Sequence, residues 1–180
     1  MKIKLQFIVL IIILSVSGFV VMNYVARKGM FTSLSKQLMQ LTFAKEIVLP
    51  NDVTTSEGGY TYALDEVKYY SENNILLVRG WIIRRGIKSI PADRIVILSS
   101  ETSPKAFRGL TTSRGDVTRS IGDGIDYDAS GYDTLIPIAE MQPGTYSLSI
   151  AILSDHAQVD TNYYIAIDDK GDVIVSKIQS

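Results

Sequence analysis

TYSLSIAIL, running from Thr145 to Leu153, alternates between two kinds of side chain. Tyr146, Leu148, Ile150 and Ile152 fall on one side of an extended chain, and Thr145, Ser147, Ser149 and Ala151 on the other. A period of two with one apolar side predicts a half-buried strand of an antiparallel sheet. The Pro143-Gly144 pair just before it turns the chain. Tyr146 then has its ring on the apolar side and its hydroxyl within reach of nearby backbone, which is the logic of a tyrosine corner.

Strand signals continue on both sides. Downstream, Tyr163 to Ile167 and Val173 to Val175 flank Asp168-Asp-Lys-Gly-Asp172, a hairpin turn. Upstream, Tyr60 to Tyr70 (YTYALDEVKYY) is rich in aromatic and β-branched residues, Ser71 to Asn74 makes a turn, and Ile75 to Ile83 follows, ended by Arg85-Gly86. Arg94 to Leu98 is a further strand, with a turn over Ser99 to Pro104. Strands recurring at about 10 to 20 residues, with almost no helical pattern between them, predict an all-β antiparallel sandwich. Trp81, the only tryptophan, sits in an apolar strand and is expected to fill the space between the two sheets.

Five short pieces carry a resemblance: Ala63–Val67 (ALDEV), the strand end Arg79–Trp81 (RGW), Arg114–Val117 (RGDV), Ser130–Asp133 (SGYD) and Met141–Ile150 (MQPGTYSLSI). In this order they resemble the immunoglobulin-like β-sandwich domains of bacterial exported proteins that accompany envelope polysaccharide enzymes. The resemblance covers roughly Tyr60 to Ile167. It implies a domain that is not itself catalytic, although no fused transferase accompanies it here.

The N-terminal part sets the compartment. Leu5 to Tyr24 runs about 20 residues without a charge, and a helix of that length rises about 30 Å, the thickness of a bilayer's hydrocarbon core. Ser15-Val16-Ser17-Gly18 offers small residues of the kind a signal peptidase accepts. Phe19 to Met22 carry the apolar run past that point, which favours an uncleaved single-pass anchor in the lipid bilayer. Lys2 and Lys4 face Arg27 and Lys28 across the segment, and a short basic head places the N-terminus inside. The expected localisation is therefore the inner (cytoplasmic) membrane, with the C-terminal domain outside the cytoplasm. Residues 1–28 form the anchor, 29–58 a juxtamembrane helix and linker, and 59–180 the exported sandwich. Leu34, Leu38 and Leu41 recur at helical spacing within the second part.

No cysteine occurs, so no disulfide framework is available. Arg114 and Asp116 sit at i and i+2, on one side of an extended segment, where each pins a loop by charge-assisted bonds. Together with Trp81 they form the candidate binding set. Asp126, Asp128 and Ser130, followed by Gly131, match the first half of an EF-hand loop, which raises calcium as a cofactor. The twelfth position is Pro137 in place of the required glutamate, so the default reading is an acidic solvent-facing turn without a cofactor, with calcium as the alternative. Ser154-Asp155-His156 holds the residue types of a catalytic triad, but adjacent residues in a turn cannot align in that way.

Charge is asymmetric. Between Arg79 and Arg119 nine basic residues face three acidic ones, and from Ile121 onward ten acidic residues face Lys170 and Lys177. One reading is a basic face for anionic glycan or lipid. The simpler one is pairing of charges between neighbouring strands. Aromatics do not interleave with the basic run as in a nucleic-acid groove, so nucleic acid is not an expected partner. The expectation is a non-enzymatic, membrane-anchored binding or scaffold domain whose partner is an envelope membrane protein or polysaccharide. The alternatives are a glycan enzyme using carboxylates such as Asp123, Asp126 and Asp128, and a self-associating structural subunit of an exported assembly.

Overall fold

The computed structural model describes residues 44–178, apart from 57, 92–93 and 102–103. Leu5–Tyr24 and the leucines at 34, 38 and 41 lie outside the described residues. Among the described residues no helix is long and apolar enough to cross a membrane.

Two β-sheets enclose one main core, so the described residues form an all-β sandwich. The first sheet holds β1 (Lys45–Ile47), β6 (Pro104–Arg108), β5 (Arg94–Ser99), β9 (Gly144–Ile152), β10 (Ala157–Ile167) and β11 (Val173–Lys177), adjacent in that order. A two-residue strand, β2 (Thr54–Thr55), adds to β10 in parallel, and the other pairings are antiparallel. The second sheet is β3 (Tyr60–Tyr70), β4 (Ile75–Arg84), β8 (Gly131–Pro137) and β7 (Leu110–Thr112), antiparallel throughout. A short helix, α1 (Gly115–Ile121), connects β7 to β8 through the loop that follows it.

The alternation of the quoted stretch is what builds the core. Tyr146, Leu148, Ile150 and Ile152 of β9 meet Leu76, Val78 and Ile82 of β4 and Tyr132 and Ile136 of β8 across the sandwich. Each such aliphatic side chain taken fully out of water contributes about 1.5–3 kcal/mol. The Tyr146 hydroxyl donates to the Gln142 carbonyl at 2.8 Å, so the tyrosine corner is made. At the 168–172 turn, Asp168 Oδ1 accepts from the Lys170 and Asp172 amides, closing the β10–β11 hairpin.

Three expectations are corrected. The opposite side of β9 is not solvated towards its C-terminal end: Ser149 and Ala151 are buried. Ala151 joins Ile95, Ile97 and Ala106 in a second cluster, against which Ile47, Leu49, Val53 and Leu153 pack. Residues 44–55, placed by the sequence in a linker, also belong to the sandwich. Ala44 donates from its amide to the Leu135 carbonyl of β8, and the chain then pairs with β6, so it bridges the two sheets. Strands of three and two residues are too short to leave a period in the sequence.

The third correction is Trp81, which does not lie between the sheets. Its register partners are Ala63 and Gly131, and it packs with Ile83, Val117 and Tyr127 on the outer side of the four-stranded sheet. The inward position beside it is Gly80, opposite the core residue Tyr132.

Candidate functional site

The pieces RGW, RGDV, SGYD and ALDEV, scattered over some 70 positions (63–133), converge on the outer side of the four-stranded sheet. Gly80 comes first because it permits the rest. A Cβ added there would lie 2.3 Å from the Ala63 carbonyl oxygen and 3.2 Å from the Leu64 Cα. Only glycine lets β3 approach β4 this closely. The β3–β4 register shifts between Leu64 and Glu66, a bulge at Asp65, and a bulge re-aims the side chain it carries.

Asp65 meets Arg114, which is the hub of the site. The Arg114 guanidinium is ion-paired to Asp65 through Nη1 and to Asp116 through Nη2 at 2.8 Å, with Nε also donating to Asp116 at 2.9 Å. Its amide donates to the Asp128 carbonyl at 2.8 Å, and its stem crosses Gly131, where an added Cβ would lie 2.6 Å from Cγ. The segment is not extended, as the i, i+2 spacing suggested. It turns into α1, with Asp116 in the first helical turn and Gly122 in a left-handed conformation ending it. Asp116 is held at about 2, first by the Arg114 hydrogen bond and also by that side chain's charge. A second arginine does the same work nearby: Arg79 is bidentate to Asp133 at 3.0 Å and reaches Glu66 at 3.3 Å.

The half EF-hand sequence forms the loop after α1, and its oxygens point to different partners. Asp126 accepts from the Asp128 amide at 3.0 Å and pairs with Lys88 at 2.8 Å, which lowers its pKa. Asp128 accepts from the Thr118 hydroxyl at 2.6 Å. Asp123 accepts from the Tyr127 hydroxyl at 2.6 Å, and that phenol in turn accepts from the Gly86 amide. Burial and the Asp123 carboxylate push the Tyr127 phenol up. Ser130 is buried. Asp123, Asp126 and Asp128 are exposed, and among the described residues no three His, Cys, Asp or Glu side chains gather as a metal shell would require.

The structure therefore brings Arg114, Asp116 and Trp81 together around the Gly131 register position. It leaves Asp126, Asp128 and Ser130 in an adjoining loop, aimed at separate partners. Sequence reasoning missed Asp65, Thr118 and Tyr127. Tyr127 is fully buried, and its place in the middle of an acidic run was the available signal. Three of the nine basic residues pair with the acidic segment: Arg79–Asp133, Arg84–Asp155 and Lys88–Asp126 join the two. Some 3.9 Å separates the Arg84 and Asp155 charges, so that pair is loose.

A small cleft of about 30 Å³ lies beside this loop, lined by residues that include Arg84, Lys88, Ser89 and Arg94. Its volume suits a few waters. Arg94 is buried and donates to the Ile90 and Ile82 carbonyls, which fastens the β4–β5 connection.

In comparison with known proteins, no family model matches the chain, and no curated protein and no solved structure matches it.

Proposed function

We propose that this chain is a membrane-tethered, exported immunoglobulin-like domain that binds, or holds in place, an envelope membrane protein or its polysaccharide, and that it does no chemistry of its own. The strand order supports the immunoglobulin-like part. Taken in chain order from β3 as A to β10 as G, with β6 as C′, the sheets contain the orders A-B-E-D and C′-C-F-G, the second extended by β1 beyond C′ and by β11 and β2 beside G, and the tyrosine corner falls on strand F. The 20-residue apolar stretch Leu5–Tyr24 supports the tether and the inner-membrane location.

The observation that carries the binding role is β3. It is eleven residues long, stands at the edge of its sheet, and pairs on its outer side with no described strand. Its bulge divides the edge into two runs, Tyr60 to Leu64 and Glu66 to Tyr70, each the length of an ordinary strand. An edge of this kind takes an added strand from a protein partner. The polar residues of the motif cluster support a scaffold role, since their charges are turned on one another.

Purification of the full chain from membranes in mild detergent tests the proposal. A co-purifying membrane protein or glycan is expected, and its loss on Tyr60→Pro or Tyr69→Pro, whose amides face away from β4, with the fold retained by circular dichroism, would assign the contact to the β3 edge. A clean monomer that retains neither partner would sink the binding role.

A further inference from the structure

Residues 48–56 cross the outer side of the seven-stranded sheet before the chain enters β3. Leu49 and Val53 pack on Ile95, Ile97, Ala106 and Ala151, four aliphatic side chains that are at most 2% exposed. The far end of this strap is held along residues 156–158, where β2 pairs in parallel with the start of β10 and Gln158 Nε2 donates to Thr55 Oγ1 at 3.4 Å. Thr54 donates to the His156 carbonyl at 3.0 Å and Ser56 to the Gln158 carbonyl at 2.8 Å. Asp52 Oδ2 stands 2.7 Å from His156 Nδ1. His156 is the only histidine of the chain and has a left-handed backbone, φ +51°, after the 153–155 turn. Imidazole is the side chain that changes charge between about pH 5 and 8.

We infer that residues 48–56 are a proton-sensitive strap: the His156 imidazolium fastens Asp52 in mild acid, and loss of its proton loosens the strap over the apolar patch of β5, β6 and β9. The charged groups around the histidine agree with this sign. Asp52 faces it from the strap, while the adjacent Asp155 is turned to the Tyr60 hydroxyl and Arg84. Hydrogen bonding to His156 holds the Asp52 carboxyl below its ordinary value, so it stays ionised through the range in which an imidazole titrates. Both side chains are more than half exposed, so the pair acts as a modest bias and not as a lock.

Native-state hydrogen exchange on the full chain in mild detergent reads this directly at the Thr54 and Ser56 amides, with the Ile150 amide of the core strand as internal reference. Protection of the two strap amides relative to Ile150 is expected to be about 2- to 5-fold higher near pH 5.5 than near pH 8. Asp52→Asn is expected to abolish that ratio while leaving the Ile150 amide unchanged. His156→Gln should do the same, and serves as the second variant because its left-handed position carries its own strain. A ratio of one in the wild type, or a ratio that survives in Asp52→Asn, overturns the inference. A purely structural Asp52 would lower protection equally at both pH values, which also overturns it.

Discussion

Gly80→Ala is the substitution whose cost follows most directly from the geometry. The new Cβ would stand 2.3 Å from the Ala63 carbonyl oxygen, against the 3.0 Å below which such contacts essentially do not occur, so β3 must retreat by at least ~0.7 Å. The Tyr132 hydroxyl, 3.0 Å from the same point, and the Leu64 Cα, 3.2 Å away, block sideways relief. Two of the three obstacles are backbone, and they sit beside the bulge that aims Asp65 at Arg114. Overpacking of this kind costs about 1–3 kcal/mol, and the lower unfolded-state entropy of alanine returns about 0.5–1 kcal/mol. The two ranges leave a net loss of about 0–2.5 kcal/mol, centred on about 1 kcal/mol, which at that centre lowers the melting midpoint of a domain of this size by about 3–5 °C. Gly58→Ala is the control, because nothing lies within 4 Å of its added Cβ and surface changes of that kind stay within about 0.5 kcal/mol. Thermal unfolding followed by circular dichroism compares the two. If Gly80→Ala melts within about 1 °C of Gly58→Ala, the close approach of β3 to β4 is not a constraint and the account of the RGW motif fails.

Three further outcomes are expected. Tyr146→Phe removes the bond to the Gln142 carbonyl and should cost about 1 kcal/mol in denaturant titration; no change would remove the tyrosine corner from the list of stabilising features. Tyr132→Phe should be neutral or slightly stabilising, because the buried hydroxyl has no hydrogen-bond partner among the described residues and burial pushes its pKa up; a loss above about 1 kcal/mol would mean that it holds a buried water. Asp116 is depressed from 3.8 to about 2 in the folded chain, so its contribution is present above about pH 4 and is lost as the pH falls towards 2. Asp116→Asn should therefore flatten the stability profile between those values while leaving its shape near neutrality unchanged, and an unaltered acid limb would show that the Arg114 pair contributes nothing.

The local signals in the sequence were those that a strand declares by itself. The period of two in TYSLSIAIL assigned the inward side of β9 correctly, because one polar and one apolar side are distinguishable there. Pro143-Gly144 and the Asp168–Asp172 turn likewise carry their own backbone instructions, and both are realised as turns beside the expected strands. In β4 the run Ile75-Leu-Leu-Val is apolar on both sides, so nothing local told which side Trp81 would take. The close packing of Gly80 against Ala63 and Tyr132 decided that, and it put Trp81 outside.

The candidate site divides along the same line. The residue types of RGDV announced an arginine able to pin a loop, and Arg114 does so. Its principal partner across the fold, Asp65, lies 49 positions away and is presented by a bulge that exists only once β3 and β4 pair. The spacing of Asp126, Asp128 and Ser130 suggested one shell of ligands, but Lys88 and Thr118 arrive from other elements and draw the two carboxylates apart. The apolar length of Leu5–Tyr24, by contrast, is a property of composition alone, and the stretch lies outside the described residues. By itself the sequence determined the class of fold and the sides of its clearest strand. Which polar groups meet was left to the tertiary structure, because long-range pairing, and not local spacing, sets where a side chain finally points.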